Sequence, residues 1–165
     1  MLTVTFAGDP LTLNDEQIKV GDKFPTVTLV ENSLAPLSTA DTSGLRVFLS
    51  VPSLDTPVCD LEARTFNQKA TDLPGVSIYV VSDDLPFAQA RWCGQAGIEN
   101  LKTLSDYNGG AFGHATGTFI SELALLSRAV FIVDADDTVV YVEYLSEITN
   151  APDYDAAYAK LAQLM

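Results

Sequence analysis

The chain has 165 residues, with 22 acidic against 9 basic side chains and a formal charge of −13. That length predicts one domain over residues 1–165, able to bury a core without covalent staples. Hydrophobic residues make up 47%, and no apolar run approaches the ~18 residues of a membrane helix, which excludes disordered and membrane-spanning classes. An acid excess of this size repels phosphate backbones and excludes nucleic acid as a partner.

The segment Met1 to Phe6 shows no basic stretch, long apolar run or small-residue cleavage pattern, so a cytoplasmic protein is expected. In a reducing compartment the two cysteines, Cys59 and Cys93, are either inert core thiols or catalytic ones. They lie too far apart for a CxxC turn. With one histidine in the chain, the usual four Cys and His ligands of a structural zinc site are missing, so no metal is expected.

In chain order, Leu2 to Phe6 and Leu11 to Leu13 are β-prone runs around Gly8-Asp9-Pro10, which predicts an N-terminal hairpin over about residues 2–14. Val27 to Val30 predicts a strand. Leu45 to Val51, bounded by Gly44 and Pro52, predicts a stronger one. From Thr56 to Thr71 the period changes to helical, with Val58, Leu61, Phe66 and Ala70 able to share a face. Thr56 suits the N-cap and Pro57 the first helical position. Pro74-Gly75 ends that helix, and Val76 to Val81 is an apolar strand of the kind covered on both faces.

Strand, helix and strand over Leu45 to Val81 make a βαβ unit, which joins parallel strands through a right-handed crossover. A second helix opens at Asp84-Leu85-Pro86, contains Cys93, and closes at Gly94 or Gly97. Thr103 to Ser105 predicts a short strand, and Gly109 to Thr118 a loop or brief helix. Ala129 to Val133 and Val139 to Val142 flank an acidic turn and predict an antiparallel hairpin. An amphipathic helix follows from about Asp153, with Tyr154, Ala157, Tyr158, Leu161 and Leu164 on one stripe. This order predicts an α/β, thioredoxin-like fold, a mixed central sheet flanked by helices.

The chemistry concentrates in Pro52-Ser53-Leu54-Asp55-Thr56-Pro57-Val58-Cys59, where a strand becomes a helix. A helix N-terminus stabilises a thiolate, the nucleophilic form of cysteine. The Thr56 hydroxyl lies within reach of that sulfur, and Pro52 bends the chain and shields the pocket. Asp55, Asp60 and Glu62 all oppose a thiolate, so the missing cation must come from elsewhere. Arg128 is the best candidate: it opens an apolar strand, and the stretch from Asp134 to Asp155 carries acids and no base.

The pattern Pro-x-x-x-Thr-x-x-Cys at 52–59 with a downstream Arg128 resembles the active site of peroxiredoxins. Asp83 to Pro86 followed by Phe87 to Cys93, together with Val4 to Gly8, is similar to their thiol peroxidase branch, and the likeness runs through almost the whole chain. The resemblance implies a thioredoxin-dependent peroxidase acting on hydrogen peroxide and alkyl hydroperoxides. Cys59 would be peroxidatic and Cys93 resolving, joined in an intramolecular disulfide, with Pro52, Thr56 and Arg128 as the supporting groups. It also implies thioredoxin as reductant, a homodimer, and no metal or organic cofactor.

Plainer roles stand beside these. Cys93 is also explained as a core cysteine, Thr56 as a cap alone, and Arg128 as a surface cation pairing with an acid. His114 is expected at the surface of a loop, and Phe87 and Trp92 as packing and pocket wall. Asp134 to Asp137 lacks the glycine and terminal glutamate of a calcium loop and is expected to turn a hairpin. Two other functions fit: a thiol-disulfide oxidoreductase or sensor that passes oxidation to a partner protein, and a non-catalytic thioredoxin-like binding module.

Overall fold

A computed structural model describes residues 2–165. Leu2–Phe6 (β1) and Asp9–Leu13 (β2) pair antiparallel across Ala7-Gly8, whose φ values of +50° and +89° are the positive ones a tight two-residue hairpin demands. The turn therefore falls earlier than Gly8-Asp9-Pro10, and Pro10 sits in the strand opposite Thr5. Thr28–Glu31 (β3) pairs with Pro36–Ser38 (β4), a short edge strand too brief to show alternation in sequence.

Leu45–Ser50 (β5), Pro57–Lys69 (α1) and Val76–Ser82 (β6) form the expected βαβ unit, with β5 and β6 parallel from Leu45↔Val76 to Ser50↔Val81. Pro86–Ala96 (α2) leads to Lys102–Ser105 (β7), which runs parallel to β6. After Ala111–Thr116 (α3) come the two-residue strands Phe119–Ile120 (β8) and Leu125–Leu126 (β9). Ala129–Val133 (β10) and Val139–Tyr144 (β11) make the antiparallel hairpin, and Tyr154–Leu164 (α4) ends the chain. The Asp153 side chain accepts from the Ala156 amide and caps α4.

The central sheet has seven strands in the order β11-β10-β5-β6-β7-β3-β4. Its strands alternate between two cores: Val47, Leu49, Val80, Val130 and Ile132 face α1, α2 and α4, while Phe48, Val81, Phe131 and Val133 face Phe24 and Phe112 on the other side. A sheet covered on both faces explains why these segments are apolar at nearly every position. The hairpin β1–β2 joins β8 and β9 in a second, four-stranded sheet. Among the described residues no helix is long and apolar enough to cross a membrane.

The face of α1 differs from the expected one. Its buried residues are Cys59, Glu62, Ala63 and Phe66, and Leu61 is 58% exposed. The phase is set by Ala63 and Phe66 packing into the core and by a buried partner for Glu62, which local hydrophobicity cannot reveal. On α2, Trp92 is buried as expected, but Phe87 is 66% exposed. Leu164 likewise leaves the buried stripe of α4, which centres on Ala157 and Leu161.

Candidate active site

The turn from β5 into α1 is fixed from beneath by Asp84. Its carboxylate accepts from the Ser53 hydroxyl at 2.7 Å, the Leu54 amide at 2.8 Å and the Ser82 hydroxyl at 2.7 Å. Thr56 takes the N-cap position in extended geometry, with Pro57 in the first turn. Its carbonyl accepts from the Asp60 amide at 2.9 Å, but its side chain does not cap. The hydroxyl instead donates to the Ser53 carbonyl at 2.9 Å, which leaves its oxygen lone pairs facing away from that bond. Cys59 follows in the first turn, fully buried, where helix amides lack intrahelical acceptors.

Arg128 enters from the start of β10 and is 1% exposed. Its guanidinium divides three ways: Nη2 donates to Cys59 Sγ at 3.1 Å, Nη1 to Glu62 Oε2 at 2.5 Å, and Nε to the Ile148 carbonyl at 2.9 Å. The plane and fork of an arginine allow this; an ammonium has no such fixed spread of donors. The expected cation is therefore in place, but the expected opposition is different. Glu62 is fully buried one turn beyond Cys59 and shares its guanidinium, while Asp60 turns to Trp92 and Arg64.

One buried guanidinium facing a thiol and a carboxyl cannot neutralise two anions. Burial lifts the Glu62 carboxyl from 4.5 to about 7, opposed by the charge and hydrogen bond of Arg128. Burial pulls the Arg128 guanidinium down, but Glu62 and Cys59 outweigh it and hold its pKa above the usual value. Glu62 and the Cys59 sulfur thus share one permanent cation.

A cavity of about 260 Å³ opens beside this cluster, lined by Pro52, Thr56, Val58 and Arg128 and roofed by Phe6 and Ile148. Phe6 comes from the N-terminal hairpin, which Glu147 ties down by accepting from Thr5 Oγ1 at 2.8 Å, the Ala7 amide at 3.1 Å and the Gly8 amide at 2.9 Å. Hydrogen bonds from Thr149, Gly8 and Thr5 hold the Glu147 carboxyl down at about 2.

Cys93 sits apart, on α2. Its sulfur lies 3.4 Å from Thr103 Oγ1 and 3.9 Å from Asn32 Nδ2, and it packs against the core cluster that contains Cys59. Both cysteines are free thiols. The structure thus brings Pro52, Thr56, Cys59 and Arg128 together and leaves Cys93 in a separate polar niche. Glu62 was missed as a site residue, although its spacing of one helical turn from Cys59 places it on the same face. His114 lies in the short helix α3, half exposed, with Nδ1 2.8 Å from Asp15. Among the described residues no three His, Cys, Asp or Glu side chains group so as to hold a metal ion.

Residues 19–158 match the Redoxin family model. The chain is 55% identical to a thiol peroxidase of Clostridium acetobutylicum over 93% of its own length and 94% of the relative's. It is 50% identical to a thiol peroxidase of Bacillus subtilis, covering 94% and 93% of the two chains. Its fold superposes on a peroxiredoxin-like protein from Aquifex aeolicus with a TM-score of 0.92 at 38% identity, over 99% and 97% of the two chains. The chain belongs to the redoxin family and, within it, to the thiol peroxidases.

Proposed function

We propose that the chain is a thiol-dependent peroxidase whose peroxidatic residue is Cys59. The observation that carries the reading is the Arg128 fork, which places an always-charged donor 3.1 Å from the Cys59 sulfur at the edge of a cavity. The Cys59 thiolate attacks one peroxide oxygen, the O–O bond breaks, and the leaving oxygen departs with a proton as water or an alcohol. Arg128 and the first-turn amides of α1 bind the two oxygens and stabilise the charge that develops on the leaving one, while the Thr56 hydroxyl, its proton given to the Ser53 carbonyl, accepts from the peroxide O–H. Pro52 walls the cavity and excludes water.

Cys59 then carries a sulfenic acid. The Cys93 thiol condenses with it, releasing water and forming an intramolecular disulfide. Thioredoxin is the dithiol that reduces this disulfide and restores both thiols. No metal or organic cofactor enters any of these steps. Hydrogen peroxide and alkyl hydroperoxides are the substrates, and the apolar faces of Phe6, Pro52, Val58 and Ile148 support an alkyl tail in the cavity. The reading includes a homodimer working in the cytoplasm.

The test is peroxide consumption coupled to thioredoxin, its reductase and NADPH. Cys59→Ser abolishes turnover, and unchanged turnover in that variant ends the reading. Cys93→Ser retains one stoichiometric oxidation and loses cycling; normal cycling removes Cys93 from the mechanism. Mass spectrometry after one equivalent of peroxide finds a Cys59–Cys93 linkage. Equal thiol counts before and after would favour a binding module, and mixed disulfides with a partner protein would favour a sensor.

A further inference from the structure

Each cysteine has a neighbour in sequence that ties the two helices together. Asp60 follows Cys59 on α1 and Trp92 precedes Cys93 on α2, and Trp92 Nε1 donates to Asp60 Oδ1 at 2.7 Å. Among the described residues this is the one side-chain hydrogen bond between α1 and α2. Arg64 completes the group, donating through Nε to the other Asp60 oxygen at 2.9 Å while its guanidinium lies 5.9 Å from the centre of the Trp92 ring. The Asp60 and Arg64 side chains are 38% and 47% exposed, whereas Trp92 is 9% exposed. Water can thus take over the carboxylate readily, but releasing the indole uncovers a large apolar ring.

The rest of α2 is fastened unevenly. Its first half is pinned by Gln89, fully buried, whose Nε2 donates to Ser82 Oγ at 3.0 Å and to the Leu104 carbonyl at 2.9 Å. Beyond Gln89 the side-chain polar ties of α2 are the Trp92 bond and the long sulfur contacts of Cys93. The helix then closes on Gly97, left-handed at φ +67°, with Gly94 one turn inside. Glycine at an interior helical position is less favourable than alanine, because it has more backbone freedom to lose. The second half of α2 is therefore the weak end in polar ties, and the Asp60–Trp92 bond is its one short side-chain hydrogen bond, added to the apolar packing of Trp92.

Resting on the reading of Cys93 as the resolving thiol, we propose that Asp60 is a positioning residue for that step. Its bond to Trp92 holds α1 and α2 in the reduced arrangement, and breaking the bond releases the Cys93 end of α2 toward oxidised Cys59. The chemistry balances as sulfenic acid plus thiol giving disulfide plus water, and it requires the two α-carbons to come within about 4.4–6.8 Å. Because a bond to a charged acceptor is stronger than a neutral one, its loss shifts the open population by an order of about tenfold.

Trp92 is the only tryptophan, so its fluorescence reports the bond directly. In stopped flow, the wild-type emission changes with a first-order phase that is independent of peroxide concentration and coincides with disulfide formation measured by acid quench and mass spectrometry. Asp60→Ala speeds that phase about tenfold, and Asp60→Asn, which keeps a neutral acceptor, falls between. Trp92→Phe keeps an aromatic ring without the donor and leaves the charge beside Cys59 untouched; by mass spectrometry its disulfide also forms about tenfold faster, while sulfenic acid formation stays within twofold of wild type. If the wild type forms the Cys59–Cys93 linkage and the variants close it no faster, the proposal fails alone. If the wild type forms no such linkage, the reading of Cys93 fails and takes the proposal with it.

Discussion

Replacing Glu62 by glutamine keeps the volume of the side chain and an acceptor for Arg128, and deletes a charge that the fold holds at a cost. The wild-type carboxyl is fully buried and lifted from 4.5 to about 7, chiefly by burial, and its Oε1 has no hydrogen-bond partner. A folded pKa above the unfolded one means that the unfolded chain gives up this proton first as pH rises. The associated stability is complete below about pH 4.5, falls through the interval, and is gone above about 7. At about 1.4 kcal/mol for each pH unit of difference, the loss is about 3 kcal/mol. Glu62→Gln has no such dependence, so the stability of the variant minus that of the wild type should grow by about 3 kcal/mol between pH 4.5 and pH 8. Urea unfolding of both reduced proteins across that range measures it, and any pH-independent offset from the altered bond to Arg128 drops out of the slope. A difference that stays flat or shrinks with pH refutes the reasoning, because it would mean that Arg128 keeps Glu62 ionised throughout.

Arg128→Lys replaces a fork serving three acceptors with one ammonium; the rate constant for Cys59 oxidation by peroxide should fall by about 10² to 10³ in single-turnover quench experiments, and an unchanged rate would remove the guanidinium geometry from the mechanism. Tyr144, whose hydroxyl burial helps push to about 12, donates to the Thr116 carbonyl at 2.6 Å and accepts from the Ile18 amide at 2.8 Å. Tyr144→Phe strands both partners and should cost about 1–3 kcal/mol in urea unfolding with peroxidase activity unchanged in the folded protein. Glu147 is the opposite case to Glu62: its carboxyl is held at about 2, so the stability it gives the hairpin is present above about pH 4.5 and lost as pH falls toward 2. Hydrogen exchange should show the Ala7 and Gly8 amides losing protection in that window while the β10 amides keep theirs, and Glu147→Gln should abolish the difference.

The parts of the fold written in local sequence were legible. The βαβ unit announces itself by a change of period between two apolar runs, and the start of α1 by Thr56-Pro57, which confines the backbone whatever surrounds it. Cys59 at a helix start follows from those two facts. The face that α1 buries does not. Leu61 is more hydrophobic than Glu62, yet Glu62 is the buried one, because its partner Arg128 arrives from a strand far along the chain and satisfies the charge there. Burial of a charge is a pairwise property, and a window of sequence holds one member of the pair. The hairpin turn was displaced for a related reason: Ala7 takes a positive φ that its residue type disfavours, in a turn whose Ala7 and Gly8 amides donate to the distant Glu147. Cys93 had no local signal, and the residue beside it carries the structural link, since Trp92 reaches Asp60 across the gap between helices.

The acid excess also separates two kinds of buried arginine. Of the nine basic residues, Arg46 and Arg128 are each 1% exposed. Arg46 donates to the carbonyls of Gly44, Thr42 and Asp134, to Thr42 Oγ1, and to the Asp137 carboxylate at 2.7 Å, so that it staples the start of β5 to the turn between β10 and β11. Four of its five acceptors are neutral oxygens, which neither gain nor lose charge. Arg128 has the same burial and the same fork, but two of its three acceptors are variable: the Glu62 carboxyl by proton transfer and the Cys59 sulfur by oxidation. A buried cation with fixed acceptors is a structural tie, and one whose acceptors change in the reaction or with pH couples the fold to the chemistry. Arg46→Lys should therefore lower stability at every pH with the Cys59 oxidation rate unchanged in the folded protein, whereas Arg128→Lys should alter the rate and the pH dependence of stability together.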